Sequence, residues 1–452
     1  MQKIFGTDGI RCKVNQEPMT AETCLKIAKA AGYILSNKIS KKNRVIIAKD
    51  TRLSGYLFEP LITSGFVSMG MDVILLGPLP TPALPILIKS MRADMGVMIT
   101  ASHNTYEYNG LKFFDSDGNK ISKDLEKKIE KIISNKKLYE KILNIEHESG
   151  KAVRLEDAQG RYLEYLKSTL DKKIKIKKFK IVLDCGNGAT YNLAPSLFWE
   201  LGTDVISIND NPNGRNINKN CGAVDTASLS KKIIETKSDI GFAFDGDGDR
   251  LIVADEEGNI IDGDKIIALL SKDYLKKNFL KKKTVVTTVM SNLGFENYLK
   301  NKLGIKLVRV KVGDINVITE MKKNSYVLGG EQSGHIILGN YMHTGDGILT
   351  AIKILEIMSS QRKKVSNIFD IYEEYPQIKY NLPIRKKLNG NFNQKIKKIV
   401  KFNQNKYSKN RYLVRLSGTE PILRILIEGK DKQNVIKAGK KISNEIKKIL
   451  NT

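Results

Sequence analysis

Four short polar clusters hold the side chains of this chain that are equipped for chemistry. In DGDGDR, Asp245, Asp247 and Asp249 alternate with Gly246 and Gly248. Carboxylates two residues apart point the same way on extended backbone, and the glycines let the loop wrap closely around a cation. Hard oxygen ligands of this kind suit Mg2+ or Ca2+. The same spacing matches positions 1, 3 and 5 of an EF-hand loop, with Glu256 at position 12, but Arg250 replaces the glycine that the turn requires at position 6. The flanks IGFAF and LIVAD read as strands, not helices. A divalent-metal site is therefore favoured over an EF-hand or a solvated acidic turn.

TASHN (100–104) offers Ser102 with His103 beside it. Neighbouring residues on extended backbone face opposite sides, which makes His103 a poor activator of Ser102, and the chain has no G-x-S-x-G elbow there. A serine close to a metal can instead carry a phosphoryl group, whose charge of roughly −2 binds a divalent cation well. Taken alone, the cluster reads as a helix cap. GGEQSGH supplies Glu331, Ser333 and His335 on a glycine-flexed loop. Glu331 suits hydrogen bonds from sugar hydroxyls and His335 suits proton transfer, with a satisfied core or surface histidine as the plain alternative. RLSGTEPILR gathers Arg415, Ser417, Gly418, Thr419 and Arg424. Two guanidinium forks, two hydroxyls and backbone N–H groups fit a phosphate monoester, and a hairpin with surface arginines is the alternative.

The elements that must position these clusters follow a repeat. KNRVIIAKDTRLSG (42–55), KFKIVLDCGNGA (178–189) and KKTVVTTVMSNLG (282–294) each pair a β-branched run with a polar turn, and a helix-length stretch follows. Second runs follow at 71–77, 203–209 and 305–313, and third runs end in VMITASHN, IGFAFDGDGDR and YVLGGEQSGH. Alternating strands and helices predict α/β units with mostly parallel sheets, whose ligands gather at strand carboxyl ends. The expectation is three consecutive similar α/β/α domains, 1–155, 156–257 and 258–368, with mixed, mostly parallel sheets around a central cleft. A smaller α+β domain, 369–452, completes the chain.

At 452 residues the chain is too long for one ordinary core, and its 41% hydrophobic fraction is ample for globular folding. The net charge of +27 invites a nucleic-acid reading, but the lysines are dispersed through surface-type segments without the interleaved aromatics that stack bases. A basic nucleic-acid-binding protein is the weakest reading. The positive field suits steering of anionic small molecules. Cys12, Cys24, Cys185 and Cys221 show no paired spacing, which fits a reducing cytoplasm. Neither a signal-peptide core nor a membrane-length apolar window is read, so a cytoplasmic protein with no membrane partner is expected.

In sequence order, GTDGIR (6–11), TASHN, DGDGDR, GGEQSGH and RLSGTEP resemble the motifs of the α-D-phosphohexomutase superfamily, and the likeness runs over essentially the whole chain. Within it, GTDGIR, MSNLG (290–294) and the Gln-Ser of GGEQSGH are similar to the bacterial phosphoglucosamine mutase family. The resemblance implies that Ser102 is a phosphoserine whose phosphate binds Mg2+ together with Asp245, Asp247 and Asp249. It implies Arg250 beside that phosphoserine, Arg11 and Lys112 facing the reacting hydroxyl, Glu331 and Ser333 on the sugar, and the 415–424 loop on the distal phosphate. Lys112 and His335 are the acid/base candidates.

The implied reaction interconverts glucosamine 6-phosphate and glucosamine 1-phosphate through a 1,6-bisphosphate, feeding UDP-N-acetylglucosamine synthesis, in a possible homodimer. Two positions depart from the family pattern. Thr105 stands where proline is common, which is expected to loosen the serine loop. Ile315 and Asn316 stand where phosphoglucosamine mutases usually carry Arg-Tyr, which keeps a phosphomannomutase or phosphoglucomutase as the alternative.

Overall fold

Three of the β-branched runs form the middle strands of three sheets, and each is buried along almost its whole length. The computed structural model describes residues 3–36, 43–146, 148–361, 363–384, 392–416 and 421–451. The first sheet contains β1 (Ile10–Lys13), β2 (Arg44–Lys49), β3 (Asp72–Pro78), β4 (Met95–Ile99), β5 (Tyr108–Asp115) and β6 (Ala152–Arg154), in the order β1-β5-β4-β2-β3-β6. The second contains β7 (Lys180–Asp184), β8 (Asp204–Ile208), β9 (Ile240–Phe244), β10 (Leu251–Ala254) and β11 (Ile260–Ile261), in the order β11-β10-β9-β7-β8. The third contains β12 (Thr284–Thr288), β13 (Lys306–Val310), β14 (Leu328–Gly330) and β15 (Ile336–Leu338), in the order β13-β12-β14-β15.

The repeat read from the sequence is thus a repeat of topology. β2, β7 and β12 each lie between two parallel neighbours. The outer neighbours β4, β9 and β14 then pair with antiparallel strands β5, β10 and β15. A reversal of direction needs only a turn, whereas a parallel crossover needs a helix-length connection. The helices Gly55–Val67, Leu193–Glu200 and Leu293–Leu303 make the first crossovers, and Ala83–Met91, Ala227–Thr236 and Asp314–Asn324 make the second. TASHN, DGDGDR and EQSGH occupy the three equivalent turns at the antiparallel reversals.

Side chains from all three repeats build one continuous core that runs from Ile46 through Phe244 to Phe369. A buried apolar group gains its stabilisation wherever water is excluded, so a shared core fixes the three sheets to each other as well as internally. The fourth sheet, β16 (Gln377–Pro383), β17 (Arg411–Leu416) and β18 (Ile422–Glu428), is antiparallel in the order β16-β18-β17. It closes a separate core with Val435, Ala438, Ile442 and Ile446, spaced along one face of the helix Lys432–Asn451. Arg411 ties this unit to the third: Nη1 donates to the Val289 carbonyl at 2.9 Å, Nη2 to the Ser291 carbonyl at 3.2 Å, and Glu428 pairs with Nε. All four cysteines are free, and no helix among the described residues is long and apolar enough to cross a membrane.

One close approach carries the fold into the site. A Cβ on Gly188 would lie 2.5 Å from the Gly246 carbonyl oxygen and 2.6 Å from its Cα. The adjacent Ala189 N–H donates to that same carbonyl at 2.8 Å, so the turn after β7 buttresses the three-aspartate loop by backbone contact. Gly188→Ala is expected to destabilise the protein by about 1–3 kcal/mol and to weaken divalent-cation binding, because the backbone, not a flexible side chain, must move. Thermal unfolding and calorimetric cation titration of the variant check both effects, and an unchanged cation affinity contradicts the buttress.

Candidate active site

Ser102 adopts a left-handed backbone conformation, φ +50°, and is 2% exposed. A non-glycine residue holds this conformation only where its surroundings over-determine it. Here those surroundings are hydrogen bonds. Arg52 Nη2 donates to the carbonyls of Ser102 at 2.9 Å and Asn104 at 2.8 Å, and Nη1 donates to those of Tyr108 at 3.1 Å and Thr105. Asn218 Nδ2, from the second sheet's side, donates to the Ser102 and Asn104 carbonyls at 2.8 and 2.9 Å. Asp50 fixes the Arg52 guanidinium at 2.8 Å, and Thr100 Oγ1 donates to Asp50 at 2.6 Å while accepting from the Ser102 N–H at 2.9 Å. The loop that lacks proline at 105 is restrained by this clamp.

The left-handed turn also corrects the argument about His103. Because the backbone is not extended there, His103 Nδ1 comes within 3.5 Å of Ser102 Oγ. Burial, with Arg250 and Arg11 nearby, pushes the His103 pKa down to about 3, so the ring is neutral. The serine hydroxyl donates elsewhere: Oγ lies 2.8 Å from Asp245 Oδ2.

Asp245, Asp247 and Asp249 can each offer one oxygen within 4.8 Å of the others, and all three are buried. Burial, aggravated by Asp249 and Asp247, raises the Asp245 pKa well above the carboxylate range. For Asp249, burial opposes ionisation, but Lys112 and His335 prevail and hold its pKa well below that range. Lys112, 3% exposed, places Nζ 2.8 Å from Asp247 Oδ2, 3.0 Å from Asp249 Oδ2 and 3.5 Å from Asp8 Oδ2. Thr81 Oγ1 donates to Asp247 Oδ2 at 2.5 Å. Asp247 Oδ1 and Asp249 Oδ1 are buried with no hydrogen bond. Three clustered carboxylates, two of them with an unsatisfied oxygen and bridged by an ammonium that stands in for a cation, fit a hard divalent metal ion.

Arg250 directs Nε to within 3.9 Å of both Asp245 and Asp249, without a hydrogen bond, and its backbone N–H donates to Asp245 Oδ1 at 3.1 Å. Arg11 donates to Asp8 at 3.2 Å, and Lys120 bridges Asp8 to Asp314. His335 is 3% exposed, with Nδ1 3.3 Å from Asp249 Oδ1 and Nε2 accepting from the Gly345 N–H at 3.1 Å. Burial disfavours its imidazolium, and Asp249 and Asp314 favour it, raising its pKa to about 9. Yet a ring nitrogen that accepts an N–H bond carries no proton, so the Gly345 bond specifies the neutral ring with its proton on Nδ1, facing Asp249. Geometry decides here, because protonation would set Nε2 against the Gly345 N–H.

Glu331 Oε1 accepts from the Gly313 N–H at 3.0 Å, and Ser333 is exposed on the same turn. Ile315 lines a cavity of about 290 Å³ with Asp8, Lys112 and Lys120, while Asn316 Nδ2 donates to the Val312 carbonyl at 3.0 Å. Arg415 and Arg424 face one another across β17 and β18. Like charges directly opposite each other repel, which leaves this pair suited to an anion. Burial and Arg424 lower the Arg415 pKa. Ser417, Gly418 and Thr419 lie outside the described residues. The structure therefore joins Ser102, the three aspartates, Lys112, Arg11, Arg250 and His335 in one network, and reaches Glu331 through Lys120 and Asp314.

Sequence reasoning missed the clamp residues Asp50, Arg52, Thr100 and Asn218, along with Asp8, Lys120 and Asp314. The available signal was KDTRLSG, which ends the central strand of the first repeat with an Asp-x-Arg pair.

Removing the stand-in ammonium should favour a metal ion at the same oxygens. Lys112→Met is expected to tighten divalent-cation binding about tenfold, since a buried competing charge is lost. Titration calorimetry with Mg2+ or Mn2+ reads this directly, and weaker binding by the variant contradicts the competition.

Four family descriptions match the chain in order. Phosphoglucomutase/phosphomannomutase alpha/beta/alpha domain I covers residues 2–140, domain II 160–258, domain III 262–375 and the C-terminal domain 380–442. The phosphoglucosamine mutase of Thermodesulfovibrio yellowstonii is 46% identical over 99% of each chain, and that of Desulfotalea psychrophila is 44% identical over the full length of both. Among solved structures, a phosphoglucomutase/phosphomannomutase family protein from Burkholderia thailandensis superposes with a TM-score of 0.82 at 23% identity, covering 99% of this chain and 97% of that one. The Aspergillus fumigatus N-acetylphosphoglucosamine mutase, solved with GlcNAc-6P and magnesium, gives 0.65 at 17% identity over 98% and 95%. With the three equivalent turns, the serine on the aspartate cluster and near-half identity over its whole length, this chain belongs to the bacterial phosphoglucosamine mutases of the α-D-phosphohexomutase superfamily.

Proposed function

We propose that Ser102 carries the phosphoryl group in a phosphoglucosamine mutase, an isomerase that interconverts glucosamine 6-phosphate and glucosamine 1-phosphate through a 1,6-bisphosphate. The observation that carries the assignment of Ser102 is its hydroxyl, buried and aimed at Asp245 Oδ2 from 2.8 Å. A phosphate on Oγ would add its oxygens to those of Asp245, Asp247 and Asp249. We take the metal to be Mg2+, which when bound would neutralise charge on the phosphoryl oxygens.

The Ser102 Oγ–P bond breaks as the sugar oxygen–P bond forms. Then the bisphosphate reorients and its other phosphate returns to Ser102. Phosphoryl transfer of this kind is governed by positioning and charge neutralisation. The Arg52 and Asn218 clamp fixes Oγ, and Arg250, with Nε unused, is placed to meet the equatorial oxygens. Lys112 and Arg11 address the reacting hydroxyl.

Lys112 is an ammonium while burial is outweighed by Asp247, Asp249 and Asp8, which raise its pKa. Moving Nζ from these carboxylates to the sugar removes the raising influence, and burial then favours the neutral amine that accepts the hydroxyl proton. On the return step the ammonium gives a proton back. His335, whose neutral ring faces Asp249, is assigned to hold that carboxylate rather than to transfer protons.

Glu331 and Ser333 hold the sugar, and Arg415 with Arg424 and the 417–419 loop holds the distal phosphate. The domain limit 155 is kept in this reading, and the limit 368, which falls inside the helix Val365–Phe369, is moved to the stretch before β16, because Phe369 and Tyr372 pack on the core of the three sheets. The middle one is better placed after Ile261, where β11 completes the second sheet. A homodimer and a cytoplasmic location belong to the same reading.

Ser102→Ala is expected to abolish interconversion of the glucosamine phosphates, and purified wild-type protein is expected to carry one phosphate on Ser102 by mass spectrometry; full activity in the variant contradicts the assignment. The altered 315–316 pair motivates one further comparison. In kcat/KM measured on glucosamine, glucose and mannose phosphates, glucosamine phosphate is expected to lead, and dominance of mannose would make the enzyme a phosphomannomutase.

A further inference from the structure

Lys120 is used by none of the steps above, yet its charge is buried between two loops that must act together. Its side chain is 15% exposed, and Nζ contacts Asp8 Oδ1 from the GTDGIR loop of the first sheet and Asp314 Oδ2 from the start of the helix Asp314–Asn324 in the third. Burial disfavours its charge, and Asp8 and Asp314 outweigh burial and raise its pKa. Truncating one member of such a bridge leaves a buried, uncompensated charge, so its geometry is costly to change.

Both ends of the bridge lead to substrate-facing groups. Asp8 Oδ2, the oxygen further from Lys120, accepts from Arg11 at 3.2 Å and lies 3.5 Å from Lys112 Nζ. Asp314 follows Gly313, whose N–H donates to Glu331 Oε1 at 3.0 Å and whose φ is +117°. Asp314 Oδ1 in turn accepts from the Ile315 N–H at 2.7 Å, which fixes the first turn of that helix. The position of the Gly313 N–H, and with it the Glu331 carboxylate, therefore follows the position of Asp314.

We propose that Lys120 is a positioning residue, a strut that seats the Gly313–Glu331 sugar loop of the third sheet against the Asp8–Lys112 side of the first by pairing with Asp314 and Asp8 together. The strut rests on the reading that Glu331 contacts the sugar. Lys120 itself touches neither Ser102 nor the three aspartates, so it serves recognition more than transfer. A loosened sugar loop loses binding that is equal in the ground and transition states, which raises KM and leaves kcat nearly unchanged.

A double-mutant cycle tests the strut, with kcat and KM measured separately and divalent-cation affinity measured by calorimetry. Lys120→Met and Asp314→Asn are each expected to raise KM about tenfold, and the double variant no further than the worse single one, since both remove the same contact. Cation affinity is expected to stay within about twofold of wild type for Asp314→Asn, as Asp314 reaches the aspartate cluster only indirectly, past His335 Nε2 at 3.8 Å or by way of Lys120, Asp8 and Lys112. KM increases that multiply to about a hundredfold in the double variant, or a loss of cation affinity that parallels the loss of activity, overturn the proposal.

Should Lys120→Met not fold, Asp314→Asn alone decides: a KM within about twofold of wild type overturns the strut, and an increase of about tenfold at constant kcat supports it. The wild type is compared first on glucosamine, glucose and mannose phosphates, and the cycle is run on the best of them. An error in the assigned sugar thus shows in the wild type, and an error in the strut shows in the variants alone.

Discussion

Three carboxylates brought together out of water is the constraint to which the rest of this molecule responds. Each buried charge costs several kcal/mol unless compensated, and three of one sign add their mutual repulsion to that. The compensation comes from different parts of the chain: Lys112 from β5, Arg250 from the loop itself, His335 from the third sheet and the Ser102 hydroxyl from the first. No one domain could keep Asp245, Asp247 and Asp249 buried by itself. Their burial requires three sheets whose strand ends face a common point, and the continuous core holds them there.

Around that point the architecture separates two tasks. The serine loop is fixed by its backbone: Arg52 and Asn218 grip carbonyl oxygens, so the path of the chain at Ser102 does not depend on that residue's side chain. The aspartate loop is held at its base by backbone contact with Gly188 and Ala189, and its carboxylates are held by lysine and histidine contacts that a metal ion would replace or reinforce. A serine held by its backbone beside an exchangeable cation site suits the proposed role, in which one phosphoryl unit is received and surrendered within a cycle.

The sequence displayed the repeat because its middle strands are buried on both faces, and continuous β-branched runs such as RVIIAK and TVVTT have few other uses. It displayed the clusters because glycines and alternating acids are conspicuous. What it concealed was long-range pairing. Arg52 and Ser102 are 50 positions apart, and Lys120 and Asp314 are 194 apart. No periodicity marks one lysine among 76 basic residues as buried. The extended-backbone argument for His103 failed for a local reason: the clamp turns Ser102 into the left-handed region, which neither serine nor its neighbours announce. The departure at Ile315 has likewise become a matter of walls, since that side chain lines the cavity beside Lys120.

The fourth unit has its own core, and one of its ties to the third, beside the hydrogen bonds between Asn292 and Tyr375, is Arg411, whose acceptors at Val289 and Ser291 are main-chain carbonyls. A contact made to backbone is indifferent to the identity of the residues that supply it. The Arg411 contact thus depends on the path of the chain at Val289 and Ser291 and not on their side chains. That contact records the shape of the third domain and not its spelling. A C-terminal unit joined in this manner can stay in step with a neighbour whose side chains are changing.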